Sequence, residues 1–317
     1  MLDPISTVAL SIVIAGIAVV ALSPRFAEPL YRVFLFEPHK YPHGEGDWNK
    51  QWAGAQPCED VSFRTKNGAR LHGWFFPQTN APAAILVHHG NTGNIADIDV
   101  IIQTLLRTGV SVFVYDYRGY GKSESSPSVA GVVEDGIAAY DWLKQRVGDQ
   151  PIVFYGESLG GAIACQVALA RRPKALILQS AFFEMRRIAC ENYPFFRIWP
   201  ADLFPRPYFH SARAVNQLQV PLLVLHGAKD SEVRVHHAHD LIAAATGNDK
   251  KLIVLPNTDH HEIFSADVDL AVASIAEFVK LVVNPAPNVV PNQAGDPSQL
   301  IDRMRSQITE PLQAGHQ

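Results

Sequence analysis

The chain has 317 residues, 47% hydrophobic and 18% charged. That composition excludes a disordered chain and leaves apolar material for one large domain or two ordinary ones. A formal net charge of −4 offers no basic excess for counterion release and argues against a nucleic-acid partner.

Residues 4–24 carry no charge, and Ile5–Leu22 is almost all Ile, Val, Ala and Leu. At about 1.5 Å per residue such a run spans roughly 30 Å, one bilayer core. The expectation is an N-terminal transmembrane anchor over 1–24, with a cleaved signal peptide as the alternative; the start Met1-Leu2-Asp3 lacks the positive n-region of a signal peptide. Arg25, Arg32 and Lys40 follow the run and no basic residue precedes it, so the positive-inside rule predicts a single-pass membrane protein with its main domain on the cytoplasmic side. Residues 25–56 are then a juxtamembrane segment.

From residue 57 to 283, short β-rich runs alternate with helical patterns. The runs are Val61–Arg64, Leu71–Phe76, Ala84–His88, Val110–Tyr115, Ile152–Gly156, Ala175–Gln179, Leu222–His226 and Lys251–Leu255. The last six are near-continuous in Val, Ile, Leu and Phe, as strands covered on both faces are. The first two are spaced for a hairpin around Asn67-Gly68. Helical patterns occupy Asp97–Arg107, Val129–Val147, Leu159–Arg171, Val235–Ala245 and Asp267–Val282. The alternation predicts an α/β domain: a mostly parallel eight-stranded sheet with helices on both faces, its ligands at the carboxyl ends of the strands. Residues 182–220 form a short insert rich in aromatics and prolines, expected to cap those strand ends. Within it Phe182, Phe183 and Tyr193 are candidate substrate-binding residues. An apolar wall for a ligand and a small self-packed lid are equally consistent with that composition. Residues 284–317, with five prolines among polar residues, read as a flexible tail with a short helix around Gln299–Ile308.

Four strand ends carry chemistry. Gly156-Glu157-Ser158-Leu159-Gly160 is a G-x-S-x-G turn between a buried strand and a small-residue helix, a context that exposes a nucleophilic Ser158. Serine needs a base. The loop after the last strand offers the pair His260 and His261, and the preceding strand end offers Asp230, with Glu232 as a second acid. The Gly-rich turn His89-Gly90-Asn91-Thr92-Gly93 after the third strand supplies an oxyanion donor, the Asn91 N–H or its neighbour Thr92, beside the N–H of Leu159. His236, His237 and His239 lie on one helical pattern; without an HExxH spacing they read as a polar face rather than a metal site. No nucleotide fingerprint occurs, and neither cofactor nor metal is expected. The cysteines Cys58, Cys165 and Cys190 are odd in number and far apart, and make no disulfide framework or zinc pattern.

Together these stretches, with Asp116-Tyr117-Arg118-Gly119-Tyr120-Gly121-Lys122-Ser123 and His226-Gly227-Ala228-Lys229-Asp230, resemble the α/β-hydrolase superfamily. Within it the chain is similar to the membrane-anchored Bem46-like lipases and thioesterases. The resemblance implies the α/β-hydrolase fold and a serine hydrolase of carboxylic esters or thioesters, acting on a lipid or acylated small molecule. It implies Ser158, Asp230 and His260 as the catalytic set, His261 taking the polar slot after the base. It also implies a structural role for the Asp116–Ser123 turn. A serine peptidase of the same fold and a non-catalytic binding protein are the competing functions.

Overall fold

The computed structural model describes residues 4–40, 57–260 and 266–284. His261, residues 41–56 and the tail helix expected at Gln299–Ile308 lie outside them. In chain order the helices are α1 (Pro4–Ala21), α2 (Glu28–Tyr31), α3 (Asp99–Leu106), α4 (Val129–Val147), α5 (Leu159–Ala170), α6 (Met185–Asn192), α7 (Ser211–Leu218), α8 (His236–Ala244) and α9 (Val268–Val283). The strands are β1 (Glu37–Pro38), β2 (Glu59–Arg64), β3 (Arg70–Phe76), β4 (Ala84–His88), β5 (Thr92–Gly93), β6 (Ser111–Tyr115), β7 (Ile152–Glu157), β8 (Ala175–Gln179), β9 (Leu222–Gly227) and β10 (Lys250–Leu255).

Eight strands form one sheet in the order β10-β9-β8-β7-β4-β6-β3-β2. β3 runs antiparallel to both β2 and β6, and the remaining pairs are parallel. This is the expected α/β sheet with its leading hairpin. The pleat sends alternate side chains to opposite faces. Leu86, Phe113, Phe154 and Leu178 enter one apolar core, while Ile85, Val112, Tyr155 and Ile177 enter the other. The continuous Val/Ile runs follow from this, since neither face meets water.

Local chemistry sets the helix ends. Ser128 caps α4, its hydroxyl accepting the Gly131 N–H at 3.1 Å. Gly148 ends the helix with φ +60°, where a side chain would be strained. The chain passes from β4 to β6 on one side, then crosses to β7 on the other. The carboxyl ends of β4 and β7 therefore flank a topological switch point, where such sheets leave a crevice.

The expected membrane span is overturned. Among the described residues no helix is long and apolar enough to cross a membrane. α1 stops after 18 residues, about 27 Å at the helical rise. Its apolar side chains are largely exposed, and its last turn is bonded to the cap: Trp199 Nε1 donates to the Val19 carbonyl at 2.8 Å. The single-pass anchor, the membrane partner and the cytoplasmic placement deduced from it are withdrawn.

The segment expected to lead away from an anchor is, in its described part, folded onto the domain. Arg25 N–H donates to the Leu203 carbonyl at 2.9 Å. The Tyr31 ring lies 5.6 Å from both Phe196 and Trp199. β1 pairs in parallel with β5, placing Glu37 beside Thr92.

Candidate active site

Ser158 stands on the turn between β7 and α5 with φ +50° and ψ −115°, a strained geometry for a residue with a side chain. The turn is tight because glycines let backbones touch. A Cβ on Gly156 would lie 2.6 Å from the Gly160 carbonyl oxygen, and one on Gly160 would collide with the carbonyl oxygens of His88 and His89. The start of α5 thus packs directly on the end of β4. Ser158 N–H donates to Gln179 O at 2.9 Å, tying the turn to β8.

Asp230 follows β9 and His260 follows β10. Gly227 brings the two loops together, for a Cβ there would meet the carbonyl oxygens of Thr258 and Asp259. Lys229 N–H donates to Thr258 O at 3.0 Å, and the Thr258 hydroxyl donates to Asp267 at 2.7 Å. The result is a continuous chain of contacts. His260 Nε2 lies 3.1 Å from Ser158 Oγ, and His260 Nδ1 lies 2.8 Å from Asp230 Oδ2. Asp230 Oδ1 accepts the N–H groups of Glu232 and Val233 at 3.0 and 2.8 Å. The second acid, Glu232, does not reach Nδ1. It sits 3.9 Å from His260 Nε2 with its side chain half exposed.

Electrostatics polarise the pair. Burial pushes the Asp230 carboxyl up, but the His260 hydrogen bond and charge and the Val233 N–H outweigh it, leaving it below the usual carboxylate range. Burial pushes the His260 imidazole down, but Asp230 and then Glu232 and Glu157 raise it above the ordinary histidine value. Asp230 stays ionised beside an imidazole that holds a proton readily.

The turn after β4 faces Ser158 across a cavity of about 520 Å³, and Ser158, Leu159, His260, Asn91 and Thr92 all line it. His89 Nδ1–H donates to the Gly90 carbonyl at 2.9 Å, fixing the plane of the peptide that carries the Asn91 N–H. The Asn91 carbonyl accepts from Tyr120 Oη at 2.6 Å and from the Glu37 N–H at 2.9 Å. Tyr117 Oη donates to His89 O at 2.9 Å. The Asp116–Ser123 turn thus braces the turn after β4.

The candidate substrate residues separate. Phe182 is buried and lines the cavity, as does the exposed Tyr193. Phe183 is not among the lining residues. Its N–H donates to His237 Nδ1 at 3.1 Å, and the Arg187 guanidinium lies over its ring at 5.3 Å. Sequence reasoning missed the residues of the 24–37 segment that also line the cavity, Tyr31, Phe34 and Leu35 among them. Their aromatic content is the only sequence signal that singles them out. It also passed over His226 as a neighbour of the acid: His226 is buried, its Nε2 donates to Val233 O at 2.6 Å, and Asp230 Oδ2 is 3.4 Å away.

The histidine group on α8 is less exposed than a plain polar face. His237 is buried and His236 half-buried, and both meet Glu191 of α6, at 3.1 and 3.2 Å. These three side chains are close enough to share an ion. However, His237 Nδ1 already accepts the Phe183 N–H. A neutral imidazole has one lone pair, so its Nε2 carries hydrogen and donates to Glu191. The set fits a hydrogen-bonded clamp between α6 and α8 better than a metal centre.

A family model described as serine aminopeptidase, S33, matches residues 79–213. An uncharacterized protein of Mycobacterium tuberculosis is 33% identical over 224 residues, 69% of this chain and 78% of that protein. The uncharacterized protein YfhR of Escherichia coli is 31% identical over 264 residues, 80% of this chain and 88% of its own. Among solved structures, an esterase of Pyrococcus furiosus superposes with a TM-score of 0.64 over 78% of this chain and 97% of its own, at 19% identity. With its eight-stranded sheet and these relatives, the chain belongs to the α/β-hydrolase superfamily, and its kinship supports a hydrolase activity.

Proposed function

We propose that the protein is a serine hydrolase that cleaves carboxylic esters or thioesters through an acyl-enzyme on Ser158. The observation that carries the reading is the unbroken line from Ser158 Oγ through His260 to Asp230, at 3.1 and 2.8 Å, with Ser158 and His260 both lining a cavity of about 520 Å³. Ser158 Oγ attacks the carbonyl carbon as His260 Nε2 takes its proton. The developing oxyanion receives the N–H groups of Leu159 and Asn91. His260 returns the proton to the leaving alcohol or thiol, the carbonyl–leaving-group bond breaks, and the acyl group stays on Oγ. Water then attacks the acyl carbon, giving a proton to His260, which passes it to Ser158 Oγ as the acyl–Oγ bond breaks and the acid leaves. Asp230 holds the imidazole in the tautomer with hydrogen on Nδ1 and stabilises the imidazolium.

A peptidase is the second reading, favoured by the name of the matched family model. The ester reading is preferred because Phe182, Met185, Phe196 and Phe204 give one side of the cavity an apolar surface suited to an acyl group. A fluorophosphonate probe tests the chemistry. Wild-type protein is expected to be labelled and Ser158→Ala to remain unlabelled. A folded wild type that stays unlabelled would defeat the proposal. Turnover of a peptide amide panel well above matched esters would favour the peptidase.

A further inference from the structure

The cavity over Ser158 has walls of two origins. One is the cap, which contributes Met185, Ile188 and Phe196. The other is the segment before the sheet, residues 24–37, which contributes Tyr31, Phe34 and Leu35. We propose that this N-terminal segment is a specificity element: it forms one side of an acyl-chain site and makes the enzyme select long acyl chains over short ones. The inference rests on Ser158 being the acyl-accepting nucleophile.

Three observations carry it. First, the segment is fastened at both ends to parts that flank the site. β1 pairs with β5 beside Asn91, and Arg25 is bonded to the cap backbone at Leu203. Second, its apolar groups meet the cap across the cavity rim. The Phe34 ring lies 5.1 Å from Tyr193 and 6.0 Å from Phe196 in edge contacts, and the Tyr31 ring lies 5.6 Å from Phe196. Third, two of the segment's lining carboxylates are engaged by the domain rather than aimed at a ligand. Glu28 accepts the Val129 N–H at 3.0 Å, and Glu37 accepts the Thr92 hydroxyl at 3.2 Å.

The space itself points to a chain. A volume of about 520 Å³ lies within the range of sites that enclose a whole small molecule. A butanoyl group on Ser158 would leave most of it empty. A long acyl chain would extend between the two walls and cover Phe34, which is 42% exposed without it. Removing such aromatic surface from water favours the longer chain.

The test compares kcat/KM for nitrophenyl dodecanoate and nitrophenyl butanoate in the full chain. Phe34→Ala removes part of the wall and Leu35→Trp fills the space beside it. Each is expected to lower the dodecanoate-to-butanoate ratio of kcat/KM roughly tenfold. Labelling reports a folded site in each variant. Equal losses on both esters, or unchanged selectivity in variants that are still labelled, would overturn the specificity role alone. Turnover that survives Ser158→Ala would sink the nucleophile reading and this inference with it.

Discussion

Tyr120 donates its hydroxyl hydrogen to the carbonyl oxygen of Asn91 over 2.6 Å. The bond links the Asp116–Ser123 turn to the turn proposed to hold the oxyanion. Tyr120 is a positioning residue in this account, since it acts through the peptide and not on substrate. Tyr120→Phe leaves the Glu37 N–H as the remaining donor to that carbonyl. Loss of one such bond, worth about 1 kcal/mol, is expected to lower kcat roughly fivefold with KM nearly unchanged. A rise in KM at constant kcat would assign Tyr120 to substrate binding instead.

The pH profile should report His260. Catalysis requires the neutral imidazole, and Asp230 and Glu232 raise its pKa above the ordinary value, about 6.5. The acid limb of kcat/KM is therefore expected to have its midpoint above that value. Glu232→Gln removes a negative charge 3.9 Å from Nε2, so the imidazolium loses support and the limb shifts to lower pH. A limb that stays in place would remove Glu232 from the electrostatics of the base.

Gly160 is expected to tolerate no side chain. A Cβ there meets the carbonyl oxygens of His88 and His89, which are backbone atoms at the end of a buried strand and cannot swing aside. Gly160→Ala should cost about 1–3 kcal/mol of stability as overpacking, read as a lower Tm, and should depress kcat by displacing the turn at Asn91. An alanine variant with wild-type Tm and kcat would contradict this packing.

Buried neutral histidines make the fold acid-sensitive. Burial pushes His88 down to about 3, and His89 and His237 to about 4. Below about 6.5 the unfolded chain takes up protons at these positions that the folded chain refuses. Their contribution is present above that pH and is lost as pH falls toward 4. His260 works in the opposite sense, its raised pKa adding stability at low pH, but it is one histidine against four, since burial lowers His226 as well. The urea midpoint is expected to fall between pH 7 and pH 5. A midpoint that is flat or rising over that interval would contradict the neutral assignment.

Much of this architecture is legible in the chain because the sheet is dry on both faces. Strands such as Val110–Tyr115 and Leu222–His226 stand out as apolar runs, and the chain order Ser158, Asp230, His260 follows strand ends. Direction is less legible. Phe182 and Phe183 are chemically equivalent neighbours, yet one lines the cavity and the other packs against His237 and Arg187. The segment 24–37 was opaque for another reason. It carries no long periodic pattern, and its role comes from tertiary contacts of Tyr31 and Phe34 with a cap distant in sequence. The apolar run before it invited a membrane reading because hydropathy registers composition; the helix that forms stops at Ala21 and is bonded to Trp199.

The most direct test of the central claim is the mass of the reaction intermediate. Protein mixed with a nitrophenyl ester and quenched in acid during turnover should gain the mass of one acyl group, mapped to the peptide containing Ser158. Ser158→Ala should show neither the adduct nor turnover. Steady hydrolysis by wild type with the acyl group on another residue, or hydrolysis that persists without Ser158, would contradict it.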